Sequence, residues 1–216
     1  MERYRVVAAS GDRADPELLV VRLPVGAADP AWVAADGYDS PLAGTVASIE
    51  PGNVVRAEVD WTGDRPRFAA ADVVERTRFA FARDATNLFE AAVDCWEATA
   101  ATGEAMNSTL TRGTDGEVNG VCYVFADPPG RPALLEEFRD GTKPLDPLLG
   151  RIEGSDPPYE VFVIEPRERP FVAVYIALER GGLLARTVRE TYDFGDDAEA
   201  APDGVDGLSD LGGFDG

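Results

Sequence analysis

The stretch Gly103 to Gly130, GEAMNSTLTRGTDGEVNGVCYVFADPPG, decides how the second half of the chain is read. Its later part, Val121 to Ala126, is a continuous apolar run that predicts a central strand, and DPPG ends it. Upstream, Asp84 to Ala101 predicts a helix. Asp84 or Thr86 serves as its cap, Phe89, Ala92, Val93, Trp96 and Ala100 form an apolar stripe at helical spacing, and Gly103 terminates it. Between helix and strand lies one dense polar run. Specific contacts concentrate in such segments, so Asn107, Ser108, Arg112, Asp115 and Asn119 are the expected ligand- or partner-binding residues.

Inside the run, Asp115, Glu117 and Asn119 followed by Gly120 copy the first half of an EF-hand calcium loop. The second half fails: Ala126 stands where the closing acid belongs, and a strand follows where a helix should. Asp115-Gly116 and Asn119-Gly120 read as turn dipeptides leading into the strand. The competing reading is an incomplete oxygen cage in which Asp115, Glu117 and Asn119 hold Mg or Ca, completed by Glu160 or Glu165.

Downstream, Pro132 to Arg139 predicts a short amphipathic helix, and KPLDPLLGRI packs its leucines without regular structure. Tyr159 to Glu165 and Phe171 to Leu178 form an antiparallel pair across PRERP, while Leu183 to Tyr192 is strand or helix. Upstream, Tyr4 to Ala8, Leu18 to Leu23, Val54 to Trp61 and two runs within Arg67 to Phe81 are strand-like, with a short helix over Ser40 to Ile49 capped by Ser40. In Val54 to Trp61, Val55, Ala57, Val59 and Trp61 share one face. The fold class is therefore α+β: a small N-terminal β-barrel, OB-like or SH3-like, over residues 1–83, an α+β sheet-and-helix domain over 84–192, and a disordered acidic tail over 193–216. That tail, DFGDDAEAAPDGVDGLSDLGGFDG, holds eight acids and no base. Such a composition cannot bury enough apolar area to offset ordering, although Leu208, Leu211 and Phe214 give it spaced apolar points for docking.

Charge is the strongest global signal. Asp and Glu number 40 against 20 basic residues, for a net charge of -20, and Lys143 is the one lysine. Acid surplus with near-absent lysine fits a halophile cytoplasm, where molar salt screens self-repulsion. No histidine is present, which removes imidazole nucleophile activation, proton shuttling and His-ligated metals. Carboxylate acid/base work, oxygen-ligated Mg or Ca, and binding without catalysis survive. Cys95 and Cys122 sit among apolar neighbours and read as reduced, buried thiols. No apolar run is long enough to span a membrane and the N-terminus has no signal-peptide pattern, so a cytoplasmic location is expected.

Arginine concentrates in the N-terminal half. Arg56, Arg67, Arg76 and Arg78 mark a groove for single-stranded nucleic acid; alternatively they pair with the interleaved acids on a solvated face. PGNVVRAEVDW, LFEAA, MNS followed by TDGEVNG, YVFADPPG, EFRDGTKPLDPLL and RETY resemble a family of uncharacterised haloarchaeal proteins over about residues 3 to 192. The resemblance implies a halophilic, cytoplasmic protein and carries no activity. The expected function is a non-catalytic binding protein engaging a protein or single-stranded nucleic acid without a cofactor. The alternatives are a Mg- or Ca-dependent, hydrolase-like carboxylate enzyme at the polar loop, and an adaptor docking through its tail.

Overall fold

The computed structural model describes residues 1–10, 15–26, 29–130, 133–192 and 194. Its first sheet is antiparallel and contains β1 (Glu2–Ser10), β2 (Glu17–Leu23), β3 (Ala31–Ala34), β4 (Val54–Asp60) and β5 (Arg67–Glu75), in the order β3-β2-β1-β4-β5. Side-chain alternation places Tyr4, Val6, Leu18, Val20, Val55 and Ala57 on one face, where they pack with Val33, Phe68 and Val46 of the short helix α1 (Leu42–Ala47). Bulges in β1 and β5 curl the sheet until its two edges approach, and the Ala34 N–H donates to the Pro66 carbonyl at 2.9 Å. No ladder joins β3 to β5, so the expected barrel is a curled, unclosed sheet; four-residue β3 is too short to close it. Trp61 lies past the end of β4 and is 50% exposed instead of sharing the inner face. Pro41, not Ser40, caps α1, and no side-chain bond helps it.

The second sheet contains β6 (Arg78–Ala85), β7 (Met106–Arg112), β8 (Val118–Ala126), β9 (Glu160–Pro166) and β10 (Phe171–Ala177), in the order β6-β9-β10-β8-β7. Only β6 and β9 pair in parallel. The helices α2 (Glu90–Thr102) and α5 (Leu183–Thr191) cover one face, where Ala92, Cys95, Ala185 and Val188 meet Cys122, Phe162 and Tyr175. The helices α3 (Leu134–Arg139) and α4 (Asp146–Leu149) cover the other, where Leu135, Phe138 and Leu148 meet Val161, Val163 and Val174. Two covered faces explain why β9 and β10 read as unbroken apolar runs. They also explain β6, expected within the N-terminal unit: Phe79, Ala80 and Ala82 are buried on both sides, an environment that the second sheet supplies.

Several boundaries differ from the expected ones for local reasons. Asp84 and Ala85 finish β6, so α2 starts at Glu90 behind Phe89, whose N–H donates to the Tyr192 hydroxyl at 3.2 Å. The buried stripe of α2 is Ala92, Cys95 and Thr99, while Ala100 faces out. Thr99 is tolerated inside because its hydroxyl donates to the Cys95 carbonyl at 2.6 Å. Both cysteines are free and buried, and burial pushes the Cys122 thiol up to about 12. DPLL, expected irregular, forms one helical turn. Most of the acidic tail lies outside the described residues, except Phe194, which is buried against Phe162. Among the described residues no helix is long and apolar enough to cross a membrane.

The two sheets meet at a buried guanidinium. Arg5 projects from β1 away from the first sheet's own core, and its Nη1 donates to the Gly52 carbonyl at 2.5 Å and to Glu75 at 2.8 Å. Its Nε and Nη2 both donate to Asp146 of α4 at 3.0 Å. Beside it, the Asn53 amide donates to the Thr77 carbonyl and the Phe79 N–H donates to the Pro51 carbonyl, tying the β4 entry to β6. Gly52 has φ +96, and a Cβ there would stand 2.5 Å from the Phe79 nitrogen, so only glycine permits this approach. The turn at Gly141 seats on the outer side of β1 and β2, against Val7 and Val21. Glu50 bridges Arg78 at 2.6 Å and Arg180 at 3.0 Å.

Removing one partner of a buried charge network leaves the others uncompensated. Arg5→Met, which strands Glu75 and Asp146, should therefore lower unfolding free energy by about 3–5 kcal/mol, read from the shift of a urea-denaturation midpoint. Burial pushes the Glu50 carboxyl up, but the hydrogen bonds and charges of Arg78 and Arg180 outweigh it and hold it below its ordinary value. A depressed carboxyl stabilises the folded state above its unfolded pKa and loses that contribution as pH falls through the folded value. Melting curves should show an acid-side loss of stability that is shallower in Glu50→Gln.

Candidate functional site

The polar run is a β-hairpin. Its turn is closed by the Gly113 N–H donating to the Glu117 carbonyl at 2.9 Å and by Gly116 at φ +85, while Asp115 Oδ1 accepts the Glu117 N–H at 3.0 Å. Asp115-Gly116 is thus the turn dipeptide, as read. Asn119-Gly120 is not one: both residues lie within β8, and Gly120 is required because a Cβ would collide with Leu184, with the Ile176 carbonyl at 2.6 Å and with Thr111 Oγ1 at 2.7 Å. That close approach brings α5 onto the base of the hairpin.

A cleft of about 470 Å³ forms there. On one side stand Asp115, Glu117, Val118 and Asn119 of the hairpin; on the other, Glu179 of the β10–α5 connection and Leu183 and Leu184 at the start of α5. Thr111 Oγ1 donates to Asn119 Oδ1 at 2.9 Å, and the Asn119 carbonyl accepts the Leu178 N–H at 3.0 Å, fixing both walls to each other. Leu183 is 55% exposed, Val118 is also exposed, and no basic side chain lines the cleft among the described residues. The result is an apolar surface rimmed by three carboxylates. Its chemistry suits a cation carried on an apolar stem.

Asp115 and Asn119 of the expected binding set line this cleft, and Glu117 joins them. Arg112 turns back to donate to the Gly116 carbonyl at 2.9 Å. Asn107 and Ser108 stand elsewhere, bordering an open groove of about 530 Å³ between α2 and β7 with Glu90 and Asp94. For the metal reading, one Asp115 oxygen is committed to the turn. Among the described residues no three Cys, Asp or Glu side chains are grouped to hold a metal ion. Glu160, named as a possible fourth ligand, is buried and paired with Arg189. Glu165 lies at the opposite end of β9, beside Arg83; burial and the charges of Asp127, Asp84 and Glu136 raise its carboxyl above the ordinary range despite that arginine.

Three of the four arginines are engaged where they stand. Arg56 meets Asp72 at 3.2 Å, and Arg78 meets Glu50. Arg67 donates to the Asp36 and Gly37 carbonyls and lies 4.5 Å over the Tyr38 ring. Arg76 is exposed, and its carbonyl accepts from Arg180. Glu179, Leu183 and Leu184 were not foreseen as site residues. The available signal was Gly181-Gly182 ahead of an amphipathic LLARTVRET, which marks a helix start once the segment is typed as helical.

The chain belongs to a family of unknown function (DUF6663), whose model matches residues 1–201. No curated protein and no solved structure matches it.

The two hairpin glycines separate turn from strand. Gly116→Asn should change stability by no more than about 0.5 kcal/mol, because asparagine accepts the left-handed conformation. Gly120→Ala should cost about 1–3 kcal/mol through overpacking against α5 and β10, and paired thermal melts read the difference.

Proposed function

We propose that this is a non-catalytic binding protein whose hairpin cleft receives a basic, apolar-stemmed segment of a protein partner. The observation that carries the reading is the meeting of Asp115, Glu117 and Glu179 over Val118, Leu183 and Leu184 in one cleft. Arginine and lysine side chains have this composition, with a methylene stem for the leucines and a charged head for the carboxylates. Complementary charge also speeds encounter with a basic partner, whereas a net charge of -20 opposes a polyanion.

The N-terminal sheet supports an OB-like description: five strands in the order β3-β2-β1-β4-β5, α1 between β3 and β4, and edges that touch at Ala34 and Pro66. Such modules serve single-stranded nucleic acid in many proteins. Here the outer side of β1 and β2 is occupied by the Gly141 turn, and Arg56 and Arg78 are matched with acids, so the protein-partner reading is preferred.

Calorimetric titration with a short peptide of alternating arginine and leucine tests the reading. One-to-one binding that persists at molar KCl is expected, with affinity reduced at least tenfold by Glu117→Gln combined with Glu179→Gln and also by Leu183→Ser. Glu58→Gln with Asp72→Gln, on the first sheet, is the charge-matched control. Equal weakening by both double variants would reduce the effect to general charge attraction and sink the proposal. Tighter binding of a single-stranded oligonucleotide than of the peptide would move the function to the N-terminal sheet.

A further inference from the structure

From the open edge of the second sheet we infer that β7 is a self-association strand, pairing antiparallel with β7 of a second copy of this chain. Among the described residues the outer side of β7 has no strand neighbour. The opposite edge strand, β6, is engaged by Pro51 through the Phe79 N–H, and the two edges of the first sheet are drawn toward each other at Ala34 and Pro66. β7 is seven residues long and lacks the lysine, proline and inward charge that normally protect an exposed edge.

The backbone phase of β7 follows from two bonds. The Ala126 N–H donates to the Ala105 carbonyl, which turns odd-numbered residues toward β8. The Ser108 N–H donates at 2.8 Å to the Asn107 side chain, not to β8, which turns Ser108 and Leu110 outward. A dyad through Thr109 then places Ser108 of one copy opposite Leu110 of the other as a hydrogen-bonded pair. This is an isologous contact in which both copies use the same residues.

Three features favour a second copy over a foreign strand. From Ala105 to Thr114 the chain has no acid, although 40 acids are spread over the whole sequence, so this is a strip that two such acidic molecules can bring together without direct repulsion. Leu110, 53% exposed, falls diagonally across the dyad from Leu110 and Met106 of the other copy, giving the exposed leucine an apolar neighbour. Arg112 falls opposite Met106 of the other copy and diagonal to its Glu104, so the pairing ends in opposite charges on both sides. Glu90 and Asp94 of α2 flank the strip, and screening of their mutual repulsion makes association stronger as salt rises. The Asn107 carboxamide occupies the Ser108 donor in the free chain and must turn away on pairing.

Light scattering and sedimentation of the full chain, at low and molar KCl and over a wide concentration range, test the inference. The expected result is twice the 23.1 kDa of one chain at molar salt, shifting toward one chain at low salt. Ser108→Pro removes an outward donor without touching the β8 ladder, and Leu110→Lys places a charge at the dyad. Both are expected to be monomeric with the wild-type circular dichroism spectrum. A wild type that stays monomeric at every salt and concentration overturns the inference, as does a dimer that survives in both folded variants. A monomer whose Ser108 and Leu110 amides resist hydrogen exchange would assign the edge to another segment of the same chain and overturn it equally.

Discussion

A guanidinium removed from water has to have its donors satisfied, and in this protein that requirement holds two sheets together. Arg5 is 4% exposed, and its acceptors come from three places in the sequence, Gly52, Glu75 and Asp146, with the Phe79 ring 5.6 Å away. Neither sheet alone supplies them, because Asp146 belongs to the helices of the second and Glu75 to the last strand of the first. A planar fork that spreads its donors over three nitrogens suits this role better than lysine, whose three donors radiate from one nitrogen. Burying the charge has little net benefit in itself, but losing any one of these partners would leave the others uncompensated.

That placement limits what the first sheet can offer a ligand. Its inner face is filled by Val6, Val20, Val55 and Phe68, and its outer face is met by Arg5's network and by the Gly141 turn on Val7 and Val21. The arginine enrichment of this half therefore has a structural use. Arg78 and Arg180 share Glu50, and Arg83 pairs with Glu136 across to α3. Interleaved acids and bases in the sequence become cross-element pairs in the fold, and local charge balance alone does not distinguish that from a groove for a polyanion.

Strand identity is legible in the longer strands with one or both faces covered, and not in four-residue β3, too short to show a period although Val33 and Ala34 are buried. Val54 to Asp60 shows period-two alternation and is a one-face strand, and Phe171 to Ala177 shows none and is buried throughout. Where pairing partners decide, local pattern does not suffice. Phe79 and Phe81 alternate with arginine and alanine as in a strand, but nothing local says that the strand joins β9, some 80 residues away. Asn119-Gly120 has turn chemistry, yet its glycine answers to the side chain of Leu184, which sequence places far off. For the site, the hairpin half was visible as polar density. The α5 half stayed hidden because Leu183 to Tyr192 reads equally as strand or helix until Gly182 is seen as its start.

The cleft inherits its rigidity from the same junction. Glu179 sits in a short connection between β10 and α5 that is held before and after it: the Leu178 N–H donates to the Asn119 carbonyl, Arg180 donates to Glu50 and to the Arg76 carbonyl, and the Gly181 N–H donates to buried Glu160 at 3.0 Å. Glu160 in turn pairs with Arg189, which lies 5.5 Å over the Phe162 ring and locks α5 against β9. A carboxylate presented from a connection fixed on both sides loses little conformational freedom when it meets a cation, so less of the interaction is spent on ordering. The acidic hairpin tip facing it is anchored only through Asn119 and its own turn bonds. Of the two walls, the one carrying Glu179 and Leu183 is therefore preorganised, and the hairpin tip is the wall that adjusts to what enters.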